Sequence, residues 1–346
     1  MASPQPPHSG HAFQAAFKDL ISLSRYVFRN EKSHQFVFTG TGTIGMESSV
    51  VSLVSRGDKT LTLSTGYFGH RMHHINQIHG AKADIVDYTN GSHADPDDLR
   101  KRLRTTRYKA VFMTHVDTST SVCNPVRELL EECSNAGVFS IVDGVCSIGG
   151  VPFDFDRFAP DIAFTASQKA IAAPPGAVLI ATSQKVLDYM TSRKSPIESY
   201  YMSLLNWKPV MDNARTYLAT PATQVLLALR EALLAVKEET LEKRWTRHRQ
   251  LGELTRSKVA SWGSKFVAND DCRADTLTSF WVDQGSAEGI QKKLEEDHGI
   301  IIARGLAEAR DSMLRIGHFG ILSPRRLSGA LQSIGEVVGR RGLGRK

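Results

Sequence analysis

The sequence predicts an α/β protein: a large domain on a mostly parallel sheet covered by helices on both faces, followed by a small C-terminal α+β domain. Two patterns carry that expectation. Short β-rich runs alternate with amphipathic helical stretches from Phe36 to Ala181, the rhythm of successive βαβ units. A long helical region then interrupts the rhythm, and only short strands and helices follow it.

Taken in order, a Pro-rich start leads into Phe13, Phe17, Leu20, Ile21, Ser24 and Phe28, mostly at helical spacing, so the first element is an amphipathic helix. Strands are expected at Phe36 to Phe38, Leu61 to Ser64, Ile85 to Tyr88, Val111 to His115, Phe139 to Val142, Ile162 to Thr165 and Val178 to Ala181. The long helical region spans about Pro221 to Val259. Beyond it come Thr276 to Val282, a helix around Gln291 to Asp297, Ile300 to Ile302, Met313 to Ile316 and a last helix after Pro324. This divides the chain into an N-terminal segment and helix (1–34), a large domain (35–240) and a small domain (241–346). No internal repeat is visible.

At 346 residues, 41% hydrophobic and 23% charged, the composition is that of a soluble globular protein large enough to enclose a ligand. The net charge of +7 is spread along the chain with only a short Arg-rich cluster at the C-terminal end, so no nucleic-acid partner is expected. No apolar run approaches the roughly 18 residues a membrane span needs. Cys123, Cys133, Cys146 and Cys272 show no CxxC spacing and lie in apolar segments, which argues for reduced thiols, no metal site and a cytosolic setting.

Three segments carry chemistry. Gly40, Gly42 and Gly45 follow a strand as G-x-G-x-x-G, and a glycine turn opening a helix offers free N–H groups and a favourable dipole to a phosphate. Thr41 and Thr43 add hydroxyls, so a single phosphate fits as well as a pyrophosphate. The acidic residue that a dinucleotide fold places about 20 residues on is not evident, because the strand ending at Ser64 leads to Thr65 and Gly66. A mere tight turn stays open. Asp143 ends the apolar strand Phe139 to Val142, where ligands of open α/β sheets bind, and an acid there needs a cationic partner. A protonated pyridine nitrogen would serve, as would a helix cap or a salt bridge to a neighbouring Arg. Lys169, in Thr165-Ala166-Ser167-Gln168-Lys169-Ala170, lies just beyond a buried strand in a small, polar turn that favours a nucleophilic amine; it follows Asp143 by one crossover, and the two would face one crevice.

Ser167-Gln168-Lys169 with Ala173-Pro174-Pro175-Gly176 resembles the Schiff-base segment of class V aminotransferases, pyridoxal 5′-phosphate (PLP) enzymes of fold type I, especially the alanine:glyoxylate and serine:pyruvate or serine:glyoxylate group. Val142-Asp143-Gly144-Val145-Cys146-Ser147, Thr39-Gly40-Thr41-Gly42-Thr43 and Gly66-Tyr67-Phe68-Gly69-His70-Arg71 are similar to further segments of that family, in the same order. The resemblance implies that Thr41, Gly42 and Thr43 hold the PLP phosphate, that Phe68 stacks on the ring where many relatives have Trp, and that Thr118 bonds the ring hydroxyl or steadies the ring. It further implies that Asp143 pairs with the ring nitrogen, Gln168 flanks the phosphate and Lys169 is Schiff-base partner and proton shuttle. Tyr217 and Thr220 resemble residues that reach the phosphate of a neighbouring subunit, implying a homodimer with shared sites. Arg315, in Leu314-Arg315-Ile316-Gly317-His318-Phe319-Gly320, resembles the arginine that binds the substrate carboxylate.

The implied reaction is a ping-pong transfer of an amino group from a small amino acid, alanine or serine favoured, to a 2-oxo acid such as glyoxylate or pyruvate. Two departures accompany the resemblance. The Pro-Gly-Pro turn that relatives carry ahead of the first helix has no counterpart here, so the substrate pocket is expected to be lined differently. Gly144 replaces a small side chain, which is expected to loosen its turn. The alternatives are another fold type I PLP reaction (a lyase, a desulfurase or a phosphonate-directed transaminase), a nicotinamide-dependent oxidoreductase, and a non-catalytic binding module.

Overall fold

The structure, a computed structural model, describes residues 6–88 and 91–341. Helix α1 (His11–Phe28) forms where helical spacing puts Phe13, Phe17, Leu20, Ser24 and Phe28 on one buried face; Arg29 ends it in a left-handed conformation, its N–H returning to Arg25 and Tyr26 carbonyls. Then β1 (His34–Thr39), α2 (Gly42–Leu53), β2 (Lys59–Ser64), α3 (Tyr67–Ile78), β3 (Lys82–Asp87), α4 (Pro96–Thr105), β4 (Ala110–Thr114), α5 (Val126–Asn135), β5 (Phe139–Asp143), the short α6 (Phe155–Phe158), β6 (Ile162–Ala166) and β7 (Ala177–Thr182) alternate as expected.

These strands make a seven-stranded sheet in the order β1-β7-β6-β5-β4-β2-β3. All its pairings are parallel except those of β7, which runs antiparallel to both β6 and β1. Between β6 and β7 the chain returns through a loop rather than a helix, and a return that short can only reverse direction. Strands β4, β5, β6 and β7 are buried along their whole length, which is why they read as unbroken apolar runs. Because β1 runs the same way as β6, the C-terminal ends of β1, β2, β4, β5 and β6 meet at one edge of the sheet, where open α/β sheets bind ligands.

The chain continues through α7 (Gln184–Ser192), α8 (Leu204–Asp212), α9 (Thr223–Glu239) and α10 (Leu241–Ser261). The expected long helical region is made of two helices, with the chain breaking between them at Thr240, φ 68°. Then come β8 (Leu277–Trp281), α11 (Ala287–His298), β9 (Ala303–Arg304), β10 (Met313–Gly317) and α12 (Pro324–Arg341). Their three-stranded sheet has the order β8-β10-β9 with antiparallel pairing. The strand expected at Ile300 to Ile302 lies at Ala303–Arg304 instead: its register against β10 pairs Arg315 with Ala303, and Ile301 is left exposed.

One apolar core surrounds the large sheet, and a second packs α10, α11 and α12 on the small one through Leu251, Phe280, Ile290, Leu314 and Leu331. A cluster of Val116, Cys146, Val151, Ala274 and Leu277 joins the two sheets beside the site described next.

Candidate active site

Thr41, Gly42, Thr43, Phe68, Thr118, Asp143, Gln168 and Lys169 line one cavity of about 210 Å³ at that sheet edge, together with Met46, Arg71, Thr114, Val116 and Val145. A larger cleft of about 980 Å³ starts at Gly66, Tyr67, Ser119 and Thr120, the chain neighbours of Phe68 and Thr118, and extends to Trp281 and Met313.

The glycine turn opens α2. Thr41 is the N-cap residue without a side-chain cap bond, and its carbonyl takes the Ile44 and Gly45 N–H groups, so the N–H groups of Gly42 and Thr43 are the unsatisfied donors of the first turn. A Cβ on Gly42 would stand 3.0 Å from Val145 Cγ2, so glycine keeps this cradle open. Phe68 sits in the first turn of α3, which is fixed from the loop after β4: Asp117 Oδ2 accepts the Phe68 N–H at 3.3 Å and Ser119 Oγ accepts the Tyr67 N–H at 2.9 Å. Asp117 is fully buried and also accepts the Ser119 hydroxyl at 2.5 Å; burial raises its pKa while these donors oppose the rise.

Asp143 lies at the tip of β5, its Oδ1 accepting the Val145 N–H at 3.0 Å. Burial pushes its carboxyl up to about 7; the Val145 N–H and Arg71 pull it down and Asp117 adds to the rise. At Gly144 Ile148 fills the space a Cβ would need, so a side chain there would have to displace it. Lys169 is half-buried in a turn closed on itself: its carbonyl accepts the Ala172 N–H at 2.9 Å, while buried Ser167 donates to the Pro174 carbonyl at 2.6 Å. Gln168 beside it has a buried Oε1 with no partner among the described residues.

Arg315 does not line that cavity but abuts it from β10: Nη1 donates to the Thr118 carbonyl at 3.0 Å and Nε to the Arg304 carbonyl at 2.8 Å. Burial lowers its pKa, with Cys146 and Asp117 opposing. Tyr217 and Thr220 are not at the cavity; both are exposed, and Tyr217 Oη lies 3.0 Å from Thr220 Oγ1.

Helix α10 binds the loops around the site to one another. Arg244 donates to the Gly149 carbonyl at 3.1 Å and to the Ala170 carbonyl, and pairs with Glu239 at 2.6 Å. Arg247 holds Glu239 at 2.6 Å and the Gly320 carbonyl at 2.9 Å. His248 Nε2 accepts the Gly320 N–H at 3.2 Å, so Nδ1 carries the proton that it donates to the Gly150 carbonyl at 2.9 Å. Burial lowers the His248 pKa to about 4, which keeps the ring neutral.

Sequence reasoning missed Arg71, Asp117 and the α10 cluster. Asp117 and Arg71 stand inside motifs already singled out, but what they do depends on contacts with Phe68 and Thr43 that the sequence does not display.

The site fits PLP on its own chemistry. Among the described residues a buried carboxyl near 7 has no salt-bridge partner and an amide oxygen has no donor, while an aromatic ring lines the same cavity and the N–H groups of a helix N-terminus open onto it. A dinucleotide fits less well, since the glycine turn follows the outermost strand β1 rather than a central one. Desulfurase chemistry lacks a thiolate: burial pushes Cys123 up to about 12, Cys146 and Cys272 up to about 11, and Cys133 upward as well.

Comparison with known proteins agrees. The family described as aminotransferase class-V matches residues 5–326. Alanine–glyoxylate aminotransferase 1 of Saccharomyces cerevisiae is 32% identical over 340 residues, covering 92% of this chain and 87% of the relative. Serine–glyoxylate aminotransferase of Methylorubrum extorquens is 31% identical over 333 residues, with 94% and 83% covered. The crystal structure of an alanine–glyoxylate aminotransferase from Nostoc sp. superposes with a TM-score of 0.93 at 27% identity, covering 97% of this chain and 90% of that one.

Proposed function

The chain belongs to the class V aminotransferases, PLP enzymes of fold type I, and from that membership we propose that it moves the amino group of a small amino acid, alanine or serine, to glyoxylate or pyruvate. The convergence of Lys169, Asp143, Phe68 and the Thr41-Gly42-Thr43 turn on one cavity supports this reading most strongly. The names of the relatives supply the donors and the acceptor glyoxylate.

When bound, PLP supplies the electron sink for the bond broken at the substrate α-carbon. The chain's residues do the rest. Thr41, Gly42, Thr43 and Gln168 hold the phosphate, Phe68 packs on the ring and Thr118 steadies it. Asp143, ionised by a cationic ring nitrogen, keeps that nitrogen protonated. Arg315 has Nε and Nη1 committed to carbonyls, which leaves Nη2 to take the substrate carboxylate and aim the α-hydrogen at Lys169. Lys169 Nζ would hold the cofactor and, once the substrate amine takes its place, would be free to carry that proton as general base and then acid. Tyr217 and Thr220, exposed in one chain, belong to the site of a second copy, so the active unit is a homodimer. The four free cysteines suit a reducing, cytosolic compartment.

Visible absorption of the protein with added PLP tests the reading. A yellow band that requires Lys169, bleaches with alanine or serine and returns with glyoxylate or pyruvate is expected. An identical spectrum from Lys169→Ala would overturn the assignment of Lys169, and bleaching by aspartate alone would overturn the choice of donor.

A further inference from the structure

We propose that Arg71 is the counter-ion of the PLP phosphate, a role that rests on the Thr41-Gly42-Thr43 turn being the phosphate cradle. Arg71 is one helical turn after Phe68 on α3, so the two side chains share a face. Its guanidinium stands over the Phe68 ring at 4.8 Å and over Tyr67 at 5.1 Å, and Nη1 reaches Thr43 Oγ1 at 3.4 Å.

Charge accounting makes this position consequential. The charged residues lining the cavity are Arg71, Asp143 and Lys169. Lys169 is taken by the cofactor's aldehyde and Asp143 has the same sign as the phosphate. A phosphate monoester carries about −1.5 to −2 charges at neutral pH, whereas the α2 terminus presents the equivalent of roughly +0.5. Threonine hydroxyls and an amide add hydrogen bonds without charge. Arg71 is the one remaining fixed cation at the cavity wall, and no salt bridge occupies it among the described residues. Its planar fork suits two phosphate oxygens at once. The guanidinium lies over Phe68 and within the field of Asp143; with a cofactor ring packed on Phe68 it would be left the Thr43 end of the cavity.

The test compares PLP with pyridoxal, which lacks the phosphate, in absorbance titrations of the cofactor-free protein carrying Arg71→Gln, Arg71→Lys or Gly42→Val. Arg71→Gln is expected to weaken PLP binding roughly 10- to 100-fold while pyridoxal binding changes less than about threefold, as loss of one charge-assisted contact requires. Arg71→Lys should recover much of the difference, and inorganic phosphate should compete with PLP in the wild type but far less in Arg71→Gln. Equal weakening of PLP and pyridoxal, or an unchanged preference for PLP accompanied by a higher KM for dicarboxylic donors, overturns the role of Arg71. If Gly42→Val leaves the preference for PLP intact, the cradle itself is wrong; if Gly42→Val abolishes the preference and Arg71→Gln does not, only the arginine is wrong.

Discussion

Asp143 should make the cofactor-free protein less stable as pH rises, and Asp143→Asn should remove that loss. The carboxyl is pushed from an ordinary 3.8 up to about 7 because its burial disfavours the charged form. Between those values the folded chain keeps a proton that the unfolded chain has released, so folding takes up a proton and stability falls with rising pH. The loss begins near the unfolded value and is complete above the folded one. At 1.36 kcal/mol per pH unit the full window is worth roughly 4 kcal/mol, of which roughly 3 kcal/mol falls between pH 5 and pH 8. Asparagine keeps the acceptor for the Val145 N–H and carries no charge to desolvate. Urea unfolding of the cofactor-free wild type and Asp143→Asn at pH 5 and pH 8 reads the difference directly: the variant should overtake the wild type as pH rises. Saturating PLP should flatten the wild-type dependence, since a cationic ring nitrogen stabilises the ionised carboxylate. Parallel pH profiles for the two proteins would refute the argument. The same substitution should cut turnover severely, the usual conflict between a comfortable core and a working site.

Arg315→Ala should raise KM for carboxylate donors about 100-fold, with the cofactor spectrum intact, because the lost contact is to the substrate; an unchanged KM in steady-state assays would remove Arg315 from the site. Mixing Lys169→Ala chains with chains carrying both Tyr217→Ala and Thr220→Ala should restore about a quarter of wild-type activity at limiting PLP, because random re-pairing yields half heterodimers with one intact site each. Failure to recover activity from mixtures shown to exchange subunits would place Tyr217 and Thr220 outside a shared site.

Much of this was legible in the sequence, for physical reasons that differ from residue to residue. Asp143 and Lys169 could be found because buried strands read as apolar runs and ligands gather where such runs end. Thr41 and Gly42 could be found because a glycine turn before a helix leaves N–H groups exposed. Strand direction was less accessible: β7 runs backwards for want of a helix between Ala166 and Ala177, a cue carried by spacing rather than by any residue. The break at Thr240 carries neither glycine nor proline, so no residue type announces its positive φ. The register of β9 depends on Arg315 meeting Ala303, a pairing across distant sequence that the apolar run Ile300 to Ile302 does not encode. Arg71 looks like any polar residue on a helix until Thr43, 28 positions earlier in the chain, is brought beside it.

The buried bonds of α10 have a consequence for how a substrate is measured. Arg244 grips the backbone next to Lys169, while Arg247 and His248 grip Gly320, five residues beyond Arg315. The turn that carries Lys169 and the segment that follows Arg315 are thereby tied to one helix. Moving one of these segments against the other would have to break this set of bonds together. With Lys169 and Arg315 in the roles proposed for them, a donor whose amine and carboxylate are one carbon further apart should present the wrong hydrogen to Lys169.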